Sequence, residues 1–349
     1  MFTAGEIYNF LGWVMNKSTI TTESYAINAE KLTRIYQSAE KEEGLKGTFK
    51  ALFHKKIIEK TAISNFSFSV REGELIGLIG PNGAGKTTLI KMLSGIIRPT
   101  SGKATVLGYD PSKPCDDFKK RYAVVMGQKS QLWWDLPAID SFALDREIYE
   151  IPEERFRKNV SLYSEMFAVE KLLNTQVRLL SLGERMKMEL ILSLLHDPGI
   201  LFLDEPTIGL DAVAQKQIRQ LLRQINGERN VTVLLTSHYM EDIRHLCSRV
   251  MVVNHGVKMF DGAFEALLDR FNEYKTITVT FENEAGLEPD FEAQWIERVP
   301  YRWSFKVRKD QVRQVLRTVL NNCDVDDLKL EEEDIGDIIG KIYRIGAAT

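Results

Sequence analysis

The stretch that decides the fold is Gly80-Pro81-Asn82-Gly83-Ala84-Gly85-Lys86-Thr87, a complete GxxxxGK[ST] motif. It follows an apolar run from Leu75 to Ile79 and precedes an apolar pattern of helical period, so strand, loop and helix come in the order of a phosphate-binding loop. Glycines let the backbone N–H groups curl around phosphates. Lys86 then supplies positive charge to the β- and γ-phosphates, and the Thr87 hydroxyl suits Mg²⁺. The sequence therefore predicts a nucleoside triphosphate site; the alternative is a glycine-rich turn with an accidental lysine.

A second motif is an apolar run that ends in two acids, Ile200-Leu201-Phe202-Leu203-Asp204-Glu205. Its composition predicts a buried strand beside the strand of the phosphate loop. Asp204 can hold Mg²⁺ through water, and Glu205 can polarise an attacking water. An acid pair at a strand end often serves only solubility. In company with the phosphate loop, it indicates hydrolysis of the bound nucleotide.

Between these motifs lies a predicted helix start, Leu180-Ser181-Leu182-Gly183-Glu184. Ser181 and Glu184 have the spacing of a capping box, and an apolar stripe follows at helical period. The N-terminus of such a helix offers free N–H groups, a positive dipole end and a serine hydroxyl, which together favour an anion. On local grounds alone, an ordinary capped helix is the simpler interpretation.

The order of these motifs, with a glutamine before and a histidine after, resembles the nucleotide-binding domains of ABC ATPases. The resemblance covers roughly residues 25–270. It implies an α/β P-loop NTPase fold, with a RecA-like core, an antiparallel β subdomain and an α-helical subdomain at about 130–190. It also implies ATP and Mg²⁺ as ligands, and the nucleotide-contacting set is Gly80, Pro81, Asn82, Gly83, Ala84, Gly85, Lys86, Thr87 and Thr88.

The resemblance further assigns residues to a partner's site. It implies that the helix of Ser181 and Gly183 reaches across a head-to-tail dimer to the γ-phosphate held by the partner's phosphate loop. Asp211, in Ile208-Gly209-Leu210-Asp211, matches the loop that crosses this interface. The second ATPase subunit is an identical or a different chain. Each subunit would then carry two half-sites for ATP.

Within one subunit, the resemblance implies three further roles. Gln128 matches the glutamine that senses Mg²⁺ and the permease, so Mg²⁺ would be held by Thr87, Gln128 and Asp204. His238, after the apolar run Val231 to Leu235, matches the switch histidine at the γ-phosphate and would act with Glu205. Tyr36 is the candidate for stacking on adenine, although a tyrosine on an edge strand often simply packs.

Two positions depart from the usual family signature LSGGQ. Leu182 replaces the first glycine and Glu184 replaces the glutamine. Leu182 is tolerable if only Gly183 must approach phosphate closely. Glu184 suits the helix dipole but adds negative charge near a partner's phosphate. The contribution of this half-site is therefore the weakest part of the assignment.

A subgroup is indicated by the LSLGE variant, the pair Trp133-Trp134, an insertion at about 38–58 and a tail after Arg270. These features look like the ATPases of type-2 ABC exporters. The two tryptophans lie where a permease coupling helix would dock, since exposed aromatic residues anchor interfaces. The alternative is that one of them is buried in the helical subdomain.

Composition limits the other functions. With 44% hydrophobic and 27% charged residues, the 349-residue chain is globular, and its net charge of -3 argues against a dedicated nucleic-acid partner. Its three cysteines form no CxxC pair, so no disulfide framework or zinc site is predicted. No apolar run of about 18 residues occurs, so transport needs separate permease subunits. The expected location is the cytoplasmic face of the membrane, reached through the permease.

The regions outside residues 25–270 have weaker patterns. Residues 1–24 form an extension in which Ile7, Phe10, Leu11 and Val14 indicate an amphipathic helix, and another helix is expected inside the insertion. Residues 271–349 predict a small α+β domain, with alternation at Ile277, Val279 and Phe281, a strand from Trp303 to Val307, a helix marked by Val312, Val315, Leu316 and Val319, an acidic run and a last helix through Ile338, Ile339 and Ile342. We expect a dimer-contact or regulatory role, or plain structural capping.

Two rival functions share the phosphate loop. A soluble ABC-type ATPase acting on ribosomes or DNA is the first, although such proteins carry long heptad segments or two cassettes with a basic linker, which this sequence lacks. A P-loop kinase for a small molecule is the second, and it leaves the LSxG motif and His238 unexplained. The sequence favours the ATP-hydrolysing subunit of a transporter.

Overall fold

The computed structural model describes residues 24–39, 57–127, 129–283 and 291–347. The described residues form three sheets with their helices. The first part contains β1 (Tyr25–Ala39), β2 (Ile57–Arg71), β3 (Leu75–Ile79), α1 (Lys86–Leu93), β4 (Ser101–Val106), α2 (Asp116–Lys119) and β5 (Tyr122–Met126). The middle part contains α3 (Ala138–Ile148), α4 (Glu153–Met166), α5 (Leu182–Leu194), β6 (Ile200–Asp204), α6 (Ala212–Arg229), β7 (Thr232–Thr236) and α7 (Met240–Leu246). The last part contains β8 (Arg249–Asn254), β9 (Val257–Ala263), α8 (Phe264–Phe271), β10 (Tyr274–Phe281), β11 (Gln294–Val299), β12 (Arg302–Arg308), α9 (Val312–Asn322), β13 (Val325–Glu332) and α10 (Ile335–Ala347).

The central sheet has the strand order β5-β6-β7-β3-β8-β9. The first five strands are parallel, and β9 returns antiparallel to β8. β3 and β7 are buried at every residue. Their sequences are nearly all apolar because both faces of such strands are covered. Because β6, β7 and β3 are parallel neighbours, their carboxyl ends meet at one edge of the sheet. Motifs more than a hundred residues apart are thereby brought together.

The two subdomains flank this sheet. The antiparallel sheet β2-β1-β4 buries Phe66, Phe68 and Val70, which are alternate residues of β2. The helical subdomain consists of α3, α4 and α5, and α5 buries an apolar stripe against the main core. The fold class expected from the sequence is confirmed: the chain is an α/β P-loop NTPase with an antiparallel and a helical subdomain.

A four-stranded antiparallel sheet, in the order β11-β12-β10-β13, forms the C-terminal accessory unit. Alternate residues of β10 and β12 pack with α9 into a separate core of Ile277, Val279, Phe281, Trp303, Phe305, Val307, Val315 and Val319. The strands and the helix expected here are therefore confirmed. This unit has its own hydrophobic core, distinct from the nucleotide-binding part.

The last helix, α10, packs on the nucleotide-binding part rather than on this small core. Ile339 and Ile342 join the main core, and Asn254 Nδ2 at the end of β8 donates to the Tyr343 carbonyl over 2.9 Å. The acidic run before α10 is only partly solvated, since Glu333 is buried and pairs with Lys341 at 2.7 Å. The accessory sheet and α9 thus share a core of their own, whereas α10 contacts the ATPase part. The division expected at residue 270 stays a prediction.

Some expectations concern residues outside the described ranges. These are the helix expected in residues 1–24, the helix expected in the insertion near Leu45, Phe49, Leu52 and Phe53, and Gln128. Across the residues that the structure does describe, no helix has the length and apolar character required to cross a membrane.

Candidate functional site

The phosphate loop leaves β3 and enters α1 with its lysine turned back on the loop. Gly85 has a φ of +108°, and a Cβ at this position would lie 2.4 Å from the Ala62 carbonyl oxygen, so only glycine fits. Lys86 Nζ donates to the carbonyls of Gly80 at 2.6 Å and Pro81 at 3.2 Å. Burial lowers the pKa of Lys86, while the carboxylates of Glu205 and Asp204 oppose this shift. The loop therefore presents a buried cation beside two acids.

A cavity of about 310 Å³ opens above this loop. It is lined by Tyr36, Lys60, Ala62, Asn82, Gly83, Ala84, Gly85, Lys86, Thr87, Thr88 and Glu205. Lys60 and Ala62 were not among the residues predicted from the sequence. The signal that could have found Lys60 is the pairing of β1 with β2, in which Tyr36 lies opposite Lys60. The insertion between the strands hides this register in the sequence.

The two acids after β6 make different contacts. The Asp204 carboxylate accepts hydrogen bonds from Thr87 Oγ1 and Thr236 Oγ1, each at 2.7 Å. Glu205 has a φ of +57°, and its backbone N–H donates to the Thr236 carbonyl at 3.1 Å. The Glu205 Oε1 atom lies 2.7 Å from His238 Nε2. The structure thus brings Lys86, Thr87, Asp204, Glu205 and His238 together at one edge of the central sheet.

The helix start at Ser181 has the full capping box. Glu184 Oε2 accepts hydrogen bonds from the backbone N–H and the hydroxyl of Ser181, each at 2.8 Å, and the Glu184 N–H donates to Ser181 Oγ at 3.3 Å. These hydrogen bonds from the Ser181 hydroxyl and N–H lower the pKa of Glu184. The carboxylate therefore engages the donors that a phosphate at this helix end would need.

Leu182 and Gly183, at the start of α5, lie close to α6 and to the loop that precedes it. A Cβ at Gly183 would lie 3.0 Å from Ala214 Cβ, so Gly183 permits the close approach of α5 to α6. Leu182 is partly exposed, and a Cβ at Gly209 would lie 3.1 Å from its Cδ2. Asp211 caps α6 by accepting from the Ala214 N–H at 2.8 Å. Ser181, Gly183 and Asp211 therefore form a second cluster, and within the described residues none of them lines the phosphate-loop cavity.

The segment after Gln128 carries an exposed aromatic pair. Trp133 is 56% and Trp134 is 49% exposed, so neither is buried in the helical subdomain. The Arg185 guanidinium lies 4.8 Å from the centre of the Trp134 ring. Gln128 itself lies outside the described residues, although Met126, Gly127 and Lys129 border a small cavity shared with Thr87 and both acids of β6.

Comparison with known proteins places this geometry in a family. Residues 63–208 match the ABC transporter family, and residues 273–331 match the EvrA-like ABC transporter C-terminal domain. The ATP-binding protein NatA of an ABC transporter in Bacillus subtilis is 31% identical over 62% of this chain and 86% of its own length. The Nod factor export ATP-binding protein I of Burkholderia orbicola is 32% identical over 67% of this chain and 77% of its own length.

Solved structures agree with the fold. A dimeric ATP-binding cassette in a post-hydrolysis state, bound to ADP and Pi, matches with a TM-score of 0.56 at 23% identity, over 68% of this chain and 98% of its own. An ATP-binding subunit of an ABC transporter matches with a TM-score of 0.58 at 20% identity, over 70% and 93%. None of these findings favours the ribosome or DNA alternative. The chain belongs to the ABC transporter ATP-binding proteins: it is the ATP-binding, ATP-hydrolysing subunit of an ABC transporter.

Proposed function

We propose that this subunit drives export through partner permease subunits by ATP-dependent closure and reopening of an ATPase dimer. The observation that carries the proposal is the 2.7 Å contact of Glu205 with His238 beside the phosphate-loop cavity. Glu205 takes the proton of the attacking water, the bond between the γ-phosphorus and its bridging oxygen breaks, and ADP and inorganic phosphate leave. His238 holds Glu205 and faces the γ-phosphate. Lys86 balances the phosphate charge.

The nucleotide would lie along the phosphate loop with its base at Tyr36. Residues 82–88 line the cavity and can supply backbone N–H groups, and Lys60 adds a second cation to the cavity wall. The Arg34 guanidinium lies 4.6 Å from the centre of the Tyr36 ring. A cation on one face of the ring leaves the other face for the adenine, which supports the stacking role of Tyr36.

Mg²⁺ fits the oxygen atoms of Thr87 and Asp204, which border the small cavity beside the phosphate loop. Thr87 Oγ1 and Asp204 Oδ2 lie 2.7 Å apart, and both are hard oxygen donors of the kind that Mg²⁺ prefers alongside substrate phosphates. We assign Thr87, Asp204 and Gln128 to this ion. When bound, the ion neutralises charge on the phosphates. Asp204 would then release the Thr87 hydroxyl to it, while Thr236 keeps the carboxylate in place.

The second cluster would complete the partner's site. Ser181 and Gly183 start a helix whose N-terminus favours an anion, and Asp211 holds the adjoining loop by capping α6. Closure of a head-to-tail dimer would bring this cluster to the γ-phosphate of the other subunit. The dimer is formed by two copies of this chain or by this chain and a second ATPase.

Export is supported by the relatives, since one of them is named a Nod factor export protein. We place the subunit at the cytoplasmic face of the membrane, held there by its permease. The docking surface consists of Trp133 and Trp134, because two exposed aromatic side chains that follow Gln128 in the sequence can anchor a permease helix. Nucleotide events at Gln128 would reach the permease through this contact.

A double substitution of the tryptophans tests the docking surface. We expect Trp133→Ala with Trp134→Ala to lower recovery of the permease with the tagged subunit from mild-detergent extracts at least about tenfold, since aromatic anchors contribute about 2 kcal/mol or more each. The ATPase rate of the isolated subunit should stay within about twofold of the parent. Co-purified proteins are identified by mass spectrometry. As a matched control, substitution by Ala of the exposed Tyr301, in the turn between β11 and β12 of the accessory unit, should leave recovery unchanged.

Recovery of ribosomal proteins in place of a permease, or unchanged permease recovery with the double variant, would contradict the proposal.

Glu184→Gln tests the electrostatic cost of the signature departure. The change removes a negative charge at the helix start while keeping an acceptor for the Ser181 N–H, so the cap persists. We expect ATP-dependent dimerisation to tighten about fivefold, which corresponds to about 1 kcal/mol for one charge a few ångströms from phosphate in water. The measurement is sedimentation with Mg-ATP in a hydrolysis-deficient background. The exposed Glu154→Gln serves as the control, and a weaker dimer in Glu184→Gln would refute the repulsion.

A further inference from the structure

Glu189 is a buried carboxylate that the catalytic scheme does not use. It lies on α5, the helix that begins next to Ser181, and the residue is only 5% exposed. Its Oε1 atom accepts three hydrogen bonds from consecutive residues, from the Ser130 hydroxyl at 2.5 Å, the Gln131 N–H at 2.8 Å and the Leu132 N–H at 3.3 Å. A buried carboxylate is costly unless it is hydrogen-bonded in this way. The three donors begin two residues after Gln128.

The three hydrogen bonds do not fully compensate the Glu189 carboxylate for its loss of solvent. Burial raises the pKa of Glu189, and hydrogen bonds from Ser130, Gln131 and Leu132 oppose the shift. Its Oε2 atom is buried and has no hydrogen-bond partner among the described residues. Asp145 on α3 is close enough to feel its charge, since burial, followed by Glu189, raises the pKa of Asp145 to about 6. An apolar side chain at residue 189 would avoid this desolvation, but it would leave the Gln131 N–H without its acceptor. The Leu132 N–H would keep only the Ser130 hydroxyl, 3.1 Å away.

Further contacts hold the remaining residues of the segment 130–136 near α5. The Arg185 guanidinium, one turn before Glu189, lies over the Trp134 ring at 4.8 Å. The Arg178 N–H donates to the Trp134 carbonyl and the Val177 N–H donates to the Leu136 carbonyl, each at 3.0 Å. A bond from Gln131 Nε2 to the Val124 carbonyl ties the segment to β5. The Trp133 N–H donates to Ser141 Oγ on α3 at 3.0 Å. Most of these contacts of residues 130–136 are therefore with α5 and the turn before it.

We propose that Glu189 is a positioning residue that makes the segment 130–136 move as one body with the Ser181 helix. This inference rests on the proposed function, in which Ser181 meets the partner's nucleotide and Trp133 and Trp134 meet the permease. A displacement of α5 on dimer closure then reaches the two tryptophans through Glu189 and Arg185. It does not have to pass through the phosphate loop of the same subunit.

Hydrogen exchange measured by mass spectrometry tests the link in the full-length chain. Without nucleotide, Glu189→Ala should speed exchange in the segment 130–136 about tenfold, the effect of losing a buried acceptor for its N–H groups. Glu189→Gln retains an acceptor and should restore most of the protection. The control Glu154→Gln makes the same chemical change at an exposed position of α4 and should have no effect. Equal exchange in Glu189→Ala and the parent would show that Glu189 does not hold the segment 130–136 in place.

Coupling is then measured in the Glu205→Gln background with Mg-ATP. Closure should slow exchange in residues 181–188 and in residues 130–136 of the parent. With Glu189→Ala added, the response at 181–188 should persist, while the response at 130–136 falls at least about threefold, a loss of roughly 0.7 kcal/mol. Glu189→Gln should keep both responses. An undiminished response at 130–136 in Glu189→Ala would overturn the coupling role.

Two further arms keep the test decisive. Ser130→Ala removes one of the three hydrogen bonds to Glu189, and it should speed exchange in the segment 130–136 less than Glu189→Ala does. This variant replaces Glu189→Ala in the test if Glu189→Ala does not fold. Thermal unfolding of each variant separates local coupling from global stability. If the Glu205→Gln parent gives no dimer and no protection at 181–188, the proposed function fails. The role of Glu189 in holding the segment 130–136 is still tested by the exchange measured without nucleotide.

Discussion

Glu205→Gln is expected to retain ATP binding while lowering the hydrolysis rate roughly 10²- to 10⁴-fold, the range of a lost general base. The glutamine keeps the shape of the side chain and can still contact His238, which lies 2.7 Å from Glu205 Oε1. It cannot take a proton from water. Because ATP is bound but not cleaved, the closed dimer should accumulate.

The measurement is steady-state phosphate release together with sedimentation of the protein in Mg-ATP. The same substitution at Glu265, which is exposed on α8, should leave the rate within about twofold of the parent and serves as the control. The phosphate-loop lining includes Glu205, so nucleotide affinity is measured separately with a fluorescent ATP analogue. Unchanged turnover in Glu205→Gln would remove the base assignment.

Ser181→Arg should abolish most hydrolysis by a different route, because it blocks the second half-site. The Ser181 hydroxyl and N–H are held by Glu184 at the start of α5, and a long side chain in this position leaves no room for a partner's phosphate. Loss of one preorganised group at a transition-state charge typically costs roughly 10²- to 10³-fold, and we expect a loss in this range. The loss of the cap adds about 1 kcal/mol of instability.

Dimer formation distinguishes this loss from unfolding. Combined with Glu205→Gln, Ser181→Arg should remain monomeric in Mg-ATP, while ATP binding to the monomer persists. Ser161→Arg on α4 introduces the same side chain at an exposed serine of the helical subdomain and should leave dimer and rate unaffected. Full ATPase activity in Ser181→Arg would show that the helix start makes no contribution across the dimer.

The elements that sequence reasoning predicted are those defined by local patterns. The run Leu75–Ile79 and the run Ile200–Asp204 are strands because buried parallel strands need continuous apolar sequence, and the loop glycines follow from phosphate geometry. The accessory strand Tyr274–Phe281 was predictable from its alternation, and the capping box from the spacing of Ser181 and Glu184. Each of these signals lies within a few residues of the element that it defines.

The remainder depends on contacts between distant parts of the chain. Lys60 enters the cavity wall through the register of β1 with β2, and Glu189 looks like a surface residue until the segment 130–132 folds against it. Gly183 was expected to approach a phosphate closely, and its packing against Ala214 on α6 appears only in the structure. Within the acidic run before α10, Glu333 is buried and pairs with Lys341. No local pattern encodes such pairings.

Because α10 packs on the ATPase core, the accessory sheet is an insertion between two parts of the chain that belong to that core. The chain leaves that core at Asn272 and returns at Glu332, and these two side chains are joined by a hydrogen bond of 2.9 Å. Exit and re-entry therefore lie side by side, as they do where one domain is inserted into another. Changes in the accessory sheet leave the core continuous, whereas loss of α10 takes Ile339 and Ile342 out of the core itself.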